Sequence, residues 1–173
     1  MAWDSTMRII EHKTDEEMAH IVYTRFTSGD TKDATKYSIG GLYVYPHVKY
    51  VSRKAFANIK KQNPNIISKL GVEYAKMQVK AMGITREHTI PVAETYQYFK
   101  KLFDEGRLSE DKILGFMPKL FIAAITEEEN KLFSKVHLCR AMPVGWWESE
   151  ELDPLQRYRD AGLGGDIWVK FRA

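Results

Sequence analysis

The stretch Leu42–Lys54, LYVYPHVKYVSRK, decides the predicted fold because its residue pattern changes at Ser52. Before Ser52 the stretch is rich in aromatic and β-branched residues, which is typical of a strand, and Pro46 favours an edge position or a break there. Ser52 is then suited to cap the N-terminus of a helix over RKAFANIKKQ, residues 53–62. The stretch therefore predicts a strand that leads directly into a helix.

Alternate side chains of a strand point to opposite faces, so the predicted strand has two different faces. One face is mostly aliphatic and consists of Leu42, Val44, Pro46, Val48 and Tyr50. The other face is aromatic and basic and consists of Tyr43, Tyr45, His47, Lys49, Val51 and Arg53.

Strand-like segments also occur near both ends of the chain. Residues 6–12, TMRIIEH, and Ala19–Thr27, AHIVYTRFT, are rich in β-branched and aromatic residues. At the other end, Ile167–Phe171 shows the alternation of a strand. We expect this last strand to pair in the same sheet as the strand near Leu42–Tyr45.

The middle of the chain carries helical signals. After Asn63 and Pro64, apolar residues recur at helical spacing until Gly83, and this stripe consists of Ile67, Leu70, Tyr74, Met77 and Ala81. Further helices are predicted from near Pro91 to Gly106, from Ser109 to Pro118, from Glu127 to Val136 and, as a short helix, after Asp153 and Pro154.

These elements predict an α+β fold in a single domain over residues 1–173. The N-terminal strands and the C-terminal strand are expected to form one mostly antiparallel sheet. Several helices lie between these strands in the sequence, and we expect them to pack on one face of the sheet.

The composition limits the classes of function. The net charge is +3 and the pI is near 8.8, which is less basic than most dedicated DNA-binding proteins, so a nucleic-acid role requires local clustering. The single cysteine, Cys139, excludes an intrachain disulfide and favours a reducing, cytoplasmic compartment. No apolar run predicts a membrane span, and the histidine spacing contains no local zinc motif. Neither a metal nor another cofactor is predicted.

The aromatic–basic pattern is the strongest functional signal because it occurs in two predicted strands. The candidate nucleic-acid-binding residues are Tyr43, Tyr45, His47, Lys49, Arg53, Lys54, Trp168, Lys170 and Arg172, and the helix adds Lys60 and Lys61. Aromatic faces stack bases while Lys and Arg hold phosphates, as in proteins that bind single strands. The same pattern also suits a solvated or packed sheet face without a ligand, so this interpretation stays open.

Two further segments give weaker signals. Trp146 and Trp147 are adjacent in a loop-like segment, and because both cannot point inward, they are candidate contacts in a homo-oligomer or with another partner. Cys139 follows His137 by two residues, a spacing that would place a thiol near an imidazole in a strand. We predict instead that Cys139 is structural, a small buried hydrophobe, and that its replacement by Ser leaves any activity intact.

The sequence thus predicts a non-enzymatic binding or assembly protein. Small nucleic-acid-associated proteins of viruses and phages fit this description, with an aromatic–basic sheet face as the binding surface. The alternative is a small enzyme whose active site is assembled from scattered residues in a pocket between sheet and helices. No catalytic residue is predicted.

Overall fold

The computed structural model describes residues 13–43, 48–62, 82–164 and 168–170, with the backbone alone at positions 49, 169 and 170. These ranges form seven α-helices and four strands. The helices are α1 (Asp15–Thr27), α2 (Lys32–Leu42), α3 (Arg53–Gln62), α4 (Val92–Asp104), α5 (Glu110–Phe116), α6 (Glu127–Lys135) and α7 (Gln156–Asp160). The strands are β1 (Val48–Ser52), β2 (Ile84–His88), β3 (Ile122–Thr126) and β4 (Trp168–Lys170). The described chain contains no helix that is both long and apolar enough to cross a membrane.

The chain divides into two compact units. The first unit comprises residues 1–45 and 92–120, and the second comprises residues 46–91 and 121–173. Two such units can be parts of one domain, so the prediction of a single domain over residues 1–173 stays a prediction.

The first unit is helical where it is described, and this corrects the strand predicted at Ala19–Thr27. These residues belong to α1, which begins with a capping box in which Thr14 Oγ1 accepts from the Glu17 amide at 3.2 Å. Met18, Val22 and Phe26 are buried at helical spacing. Their packing outweighs the strand preference of the Val, Tyr, Thr and Phe residues in the segment. The predicted strand at residues 6–12 lies outside the described residues.

The second unit contains a four-stranded sheet in the order β2-β3-β1-β4. β1 pairs with β3 in parallel, whereas β1–β4 and β2–β3 are antiparallel pairs. The α+β class is therefore confirmed, but the sheet is mixed rather than mostly antiparallel. A parallel pair requires a long connection between its strands, and the segment between β1 and β3 provides one.

The C-terminal strand joins the sheet but at a different partner from the one predicted. β4 pairs with β1 in a register that places Trp168 opposite Ser52. Of the predicted partner segment, Leu42 is the last residue of α2 and Tyr43 is its C-cap, whereas Val44 and Tyr45 lie outside the described residues. The part of the predicted strand that the structure describes is β1, Val48–Ser52.

The centre of the sheet is β3, which includes most of the apolar run Leu120–Ile125. All of its residues, from Ile122 to Thr126, are buried. Because alternate side chains of a strand point to opposite faces, both faces of β3 are covered. The prediction that the sheet is covered on one face only is therefore wrong for β3. β2 was not predicted, because ITREH carries few apolar residues; it forms as the antiparallel partner of β3.

Most helical signals outside residues 63–81 are confirmed. α3, α4, α5, α6 and α7 form where caps and breakers predicted them. Ser109 caps α5 by accepting from the Lys112 amide at 3.2 Å. Gly106, which ends α4, has a φ of 66°, a value that glycine adopts easily. The predicted helical stripe Ile67–Ala81 lies outside the described residues.

Candidate functional site

Tyr43, a candidate of the predicted aromatic–basic face, does not lie on an exposed surface. Its side chain is 1% exposed, and its hydroxyl lies 2.9 Å from Thr95 Oγ1 on α4. Tyr43 is thus part of the helical core of the first unit, whereas β1 belongs to the second unit. A buried phenol ring is not available to stack on a base.

The register of β4 gives a second correction. Residues that lie opposite one another in a sheet share a face, so Trp168 shares the face of Ser52 and Tyr50 rather than that of Val51. The Trp168 ring contacts Tyr50, with centroids 6.1 Å apart, and Tyr158, at 5.2 Å. Trp168 is therefore partly buried and packs against the core of the second unit. Tyr45, His47 and Arg172 lie outside the described residues, as do the side chains of Lys49 and Lys170.

The basic part of the prediction does form a surface, on helix α3. Ala55 and Ile59 are its buried residues. Its exposed residues include four cations, which are Arg53, Lys54, Lys60 and Lys61. α3 contains no acidic residue. We call these four exposed side chains the cationic face of α3.

The position of the cations along α3 bears on their role. Cations in the last turn, such as Lys60 and Lys61, interact favourably with the negative end of the helix dipole. Arg53 and Lys54 instead lie in the first turn, where the dipole disfavours positive charge. Within the described ranges, Lys54, Lys60 and Lys61 form no ion pair. The helix dipole therefore favours the positive charges of Lys60 and Lys61 and disfavours those of Arg53 and Lys54.

A buried hydrogen-bond network fixes the start of α3. The Ser52 hydroxyl accepts from the Ala55 amide at 3.1 Å and donates to Glu129 Oε2 at 2.5 Å. The same Glu129 oxygen accepts from the Thr126 amide at 2.8 Å, which completes the predicted capping box of α6. The carboxyl group of Glu129 thus contributes to the caps of both α3 and α6. These hydrogen bonds position the start of the helix that carries the cationic face.

The most unusual buried residue of the second unit is Arg157 on α7, whose side chain is 1% exposed. Its Nη2 donates to Glu87 Oε2 at 3.0 Å and to the His88 carbonyl at 2.9 Å, and its Nη1 donates to the Leu138 carbonyl at 3.1 Å. The guanidinium also lies over the Phe133 ring, 4.6 Å from its centroid. Arg157 therefore joins β2, α7 and the segment after α6.

This arginine cluster is closed rather than open to a substrate. Tyr158, beside Arg157, is fully buried, and burial raises the pKa of its hydroxyl to about 12 against the opposing charge of Arg157. The Tyr158 hydroxyl and Arg157 Nε have no hydrogen-bond partner among the described atoms. Both groups are inaccessible, so the cluster is an element of the fold. No local sequence pattern indicates this cluster, since Glu87, Leu138 and Arg157 are far apart along the chain.

Burial also shifts the pKa values of the two β2 residues in this cluster. The pKa of His88 falls to about 4, first because burial disfavours the imidazolium and then because Arg157 and Arg86 repel it. The pKa of Glu87 is raised, since burial outweighs the attraction of Arg157. His88 is therefore a neutral imidazole in the folded protein at neutral pH.

The low pKa of His88 predicts a loss of stability in acid. Between about pH 6.5 and 4 the unfolded chain takes up a proton at His88 that the folded protein refuses, so the free energy of unfolding falls as the pH falls. We expect about 1–2 kcal/mol from His88 between pH 7 and pH 5. Glu87 contributes with the opposite sign above its unfolded pKa. Urea denaturation at both pH values should show a smaller difference for His88→Gln than for wild type. An unchanged difference would contradict the assignment.

The tryptophan pair divides between core and surface. Trp146 is buried, and its Nε1 donates to the Asp153 carbonyl at 2.7 Å. Trp147 is partly exposed, and its ring meets Trp146 edge-on at 4.6 Å. Trp146 is thus occupied within its own chain. A homo-oligomer or partner contact through Trp147 stays a prediction.

Cys139 is exposed, which corrects the expectation of a buried hydrophobe. Its Sγ lies 3.1 Å from Ser134 Oγ. His137 has a left-handed φ of 59°, so the segment is a turn and not the strand that would align the thiol with the imidazole. A structural role for Cys139 stays a prediction.

Comparison of the chain with protein-family models, curated proteins and solved structures gives no match. The functional argument therefore starts from the chemistry of the described side chains. Among the candidate residues from the sequence, Arg53 and Lys54 are the ones that the structure brings together with Lys60 and Lys61 on an exposed surface.

Proposed function

We propose that the protein is a non-enzymatic binding protein that holds single-stranded nucleic acid through the cationic face of α3. The observation that carries this proposal is the exposure of four cations on a ten-residue helix that has no acidic residue. Positive charge placed in the first turn, against the helix dipole, favours a role in binding an anion over a role in stabilising the helix.

The dimensions of the face suit a phosphodiester chain. A helix of this length spans about 15 Å. A nucleic-acid strand in a duplex carries one charge about every 3.4 Å, so the face corresponds to roughly four phosphates. The overall net charge of +3 is small, and binding would come from this local cluster rather than from the field of the whole chain.

The choice of a single strand rests on the size of the face. A face that consists of one short helix suits a flexible strand that follows the helix. The prediction of viral or phage origin, the homo-oligomer and the alternative of a small enzyme have no further observation in their favour.

The test compares Lys60→Gln/Lys61→Gln with wild type in a salt titration of a labelled oligothymidylate. Each lost phosphate contact lowers the slope of log affinity against log salt by about 0.7 for a single strand, so the double variant should lose about 1.4. If the affinities of wild type and the double variant are equal at 1 M salt, this difference in slope corresponds to an affinity about 25-fold lower for the variant at 0.1 M salt. Glutamine preserves helix propensity, so the fold is retained.

The matched control is Lys131→Gln/Lys135→Gln, which removes the same charge from exposed positions on α6. We expect its slope to equal that of wild type. An equal loss in both double variants would show that net charge alone governs binding. The absence of saturable binding by wild type at low salt would refute the proposed function.

A further inference from the structure

A second aromatic–basic cluster lies in the first unit, at residues that were not candidates in the sequence. Lys32 and Lys36 are one helical turn apart on α2. Both ammonium groups lie over the ring of Tyr96 on α4, with Nζ 5.7 Å and 5.8 Å from its centroid. We call these three side chains the Lys32–Lys36–Tyr96 cluster.

The ring at the centre of this cluster is held in place by its own packing. Tyr96 stacks on Phe26 of α1, with centroids 5.7 Å apart and ring planes at 23°. Phe26 is buried and also contacts Phe103, at 5.8 Å. The negative face of a fixed aromatic ring attracts cations, so Tyr96 gathers the two flexible lysine side chains to one place.

The cluster holds two positive charges over one ring, and neither forms an ion pair with a carboxylate of the described residues. Like charges one turn apart on a helix repel each other. Asp33 shares the first turn of α2, but neither lysine forms an ion pair among the described residues. A bound anion beside the two ammonium groups would relieve their repulsion.

We infer that the Lys32–Lys36–Tyr96 cluster is a phosphate-binding site. Two ammonium groups beside one ring carry up to six donors for the oxygens of a phosphate group, and the ammonium is a common phosphate ligand in proteins. This inference rests on the proposed function, because the phosphate in question is that of a nucleic-acid strand. The cluster is a site on the first unit, whereas the cationic face of α3 belongs to the second unit.

The first experiment measures oligothymidylate affinity of Lys32→Gln/Lys36→Gln against salt. We expect the slope to fall by about 1.4, as for two lost contacts. The matched control is Lys101→Gln/Lys112→Gln, which removes two exposed lysines of the same unit, and we expect wild-type binding. Thermal unfolding of both variants verifies that they are folded.

The outcomes separate this inference from the proposed function. Wild-type binding by Lys32→Gln/Lys36→Gln together with weakened binding by Lys60→Gln/Lys61→Gln overturns the cluster and leaves the α3 surface intact. The reverse result overturns the α3 surface and supports the cluster. Wild-type binding by both variants overturns both sites.

The second experiment follows the ¹⁵Nζ resonances of Lys32 and Lys36 in the full chain during titration with inorganic phosphate and with oligothymidylate. A saturable shift with both probes supports a site for the phosphate group itself, and a shift with oligothymidylate alone supports a site for the strand. No shift with either probe overturns the inference. Tyr96→Phe should bind like wild type and Tyr96→Leu a few-fold more weakly, since only Phe keeps the aromatic face. Equal binding by all three overturns the role of the ring.

Discussion

Replacement of Arg157 by Ala is expected to lower the free energy of unfolding by about 3–5 kcal/mol, the usual cost of breaking a buried ion pair by removing one partner. The Glu87 side chain, 22% exposed, would lose its cation, and the carbonyls of His88 and Leu138 would lose a donor. The packing of the guanidinium on Phe133 would also be lost. Urea denaturation at neutral pH measures the change.

Arg159 provides a matched control two residues away. It lies on the same helix, and its side chain is 41% exposed where it pairs with Asp153. A surface pair contributes about 0–1 kcal/mol, so Arg159→Ala should have little effect. Arg157→Lys keeps the charge but cannot reproduce the planar fork that reaches three acceptors, and we expect an intermediate loss. A loss below about 1 kcal/mol in Arg157→Ala would contradict the structural role of the cluster.

Replacement of Glu129 by Ala is expected to lower the free energy of unfolding by about 2–5 kcal/mol. Glu129 is 5% exposed, and its loss leaves the Ser52 hydroxyl and the Thr126 amide buried without their acceptor. Each unsatisfied buried group costs about 1–3 kcal/mol. Because Ser52 caps α3, we also expect this variant to bind oligothymidylate more weakly than wild type.

The chain contains its own control for burial in this motif. Glu17 completes the same kind of capping box at the start of α1, where its bond to the Thr14 amide is exposed to solvent. Glu17→Ala should therefore cost only about 0.5–1 kcal/mol. Glu129→Gln, which retains a carbonyl acceptor, should recover most of the loss seen in Glu129→Ala. Equal effects of the Glu17 and Glu129 variants in urea denaturation would show that burial of the box is unimportant.

The two capping boxes show how local signals succeed and how they are missed. Thr126 with Glu129 predicted the start of α6, and the structure confirms it. Thr14 with Glu17 is the same signal for α1, yet the β-branched and aromatic residues that follow favoured a strand. The correct choice depended on the helical spacing of Met18, Val22 and Phe26, whose burial is a property of the first unit as a whole.

The candidate surfaces divide in the same way. The charge of α3 was readable because Arg53, Lys54, Lys60 and Lys61 are close in sequence and the helix has its own cap and buried stripe. The proposed link from Tyr43 to Trp168 failed because it assumed one strand face. Tyr43 instead caps α2 and is buried in the first unit, and the register of β4 places Trp168 against Tyr50 in the second unit.

Local chemistry in the sequence determined where most of the described helices begin and end, which helix carries the positive charge, and that strands occur near the middle and the end of the chain. Caps, prolines and glycines act within one turn, so their effect does not depend on distant residues. The tertiary structure alone decided the parallel pairing of β1 with β3, the burial of Arg157 against Glu87, 70 residues away, and the meeting of Lys32 and Lys36 with Tyr96. These contacts join segments whose proximity depends on the packing of the whole unit, and no local pattern in one sequence encodes it.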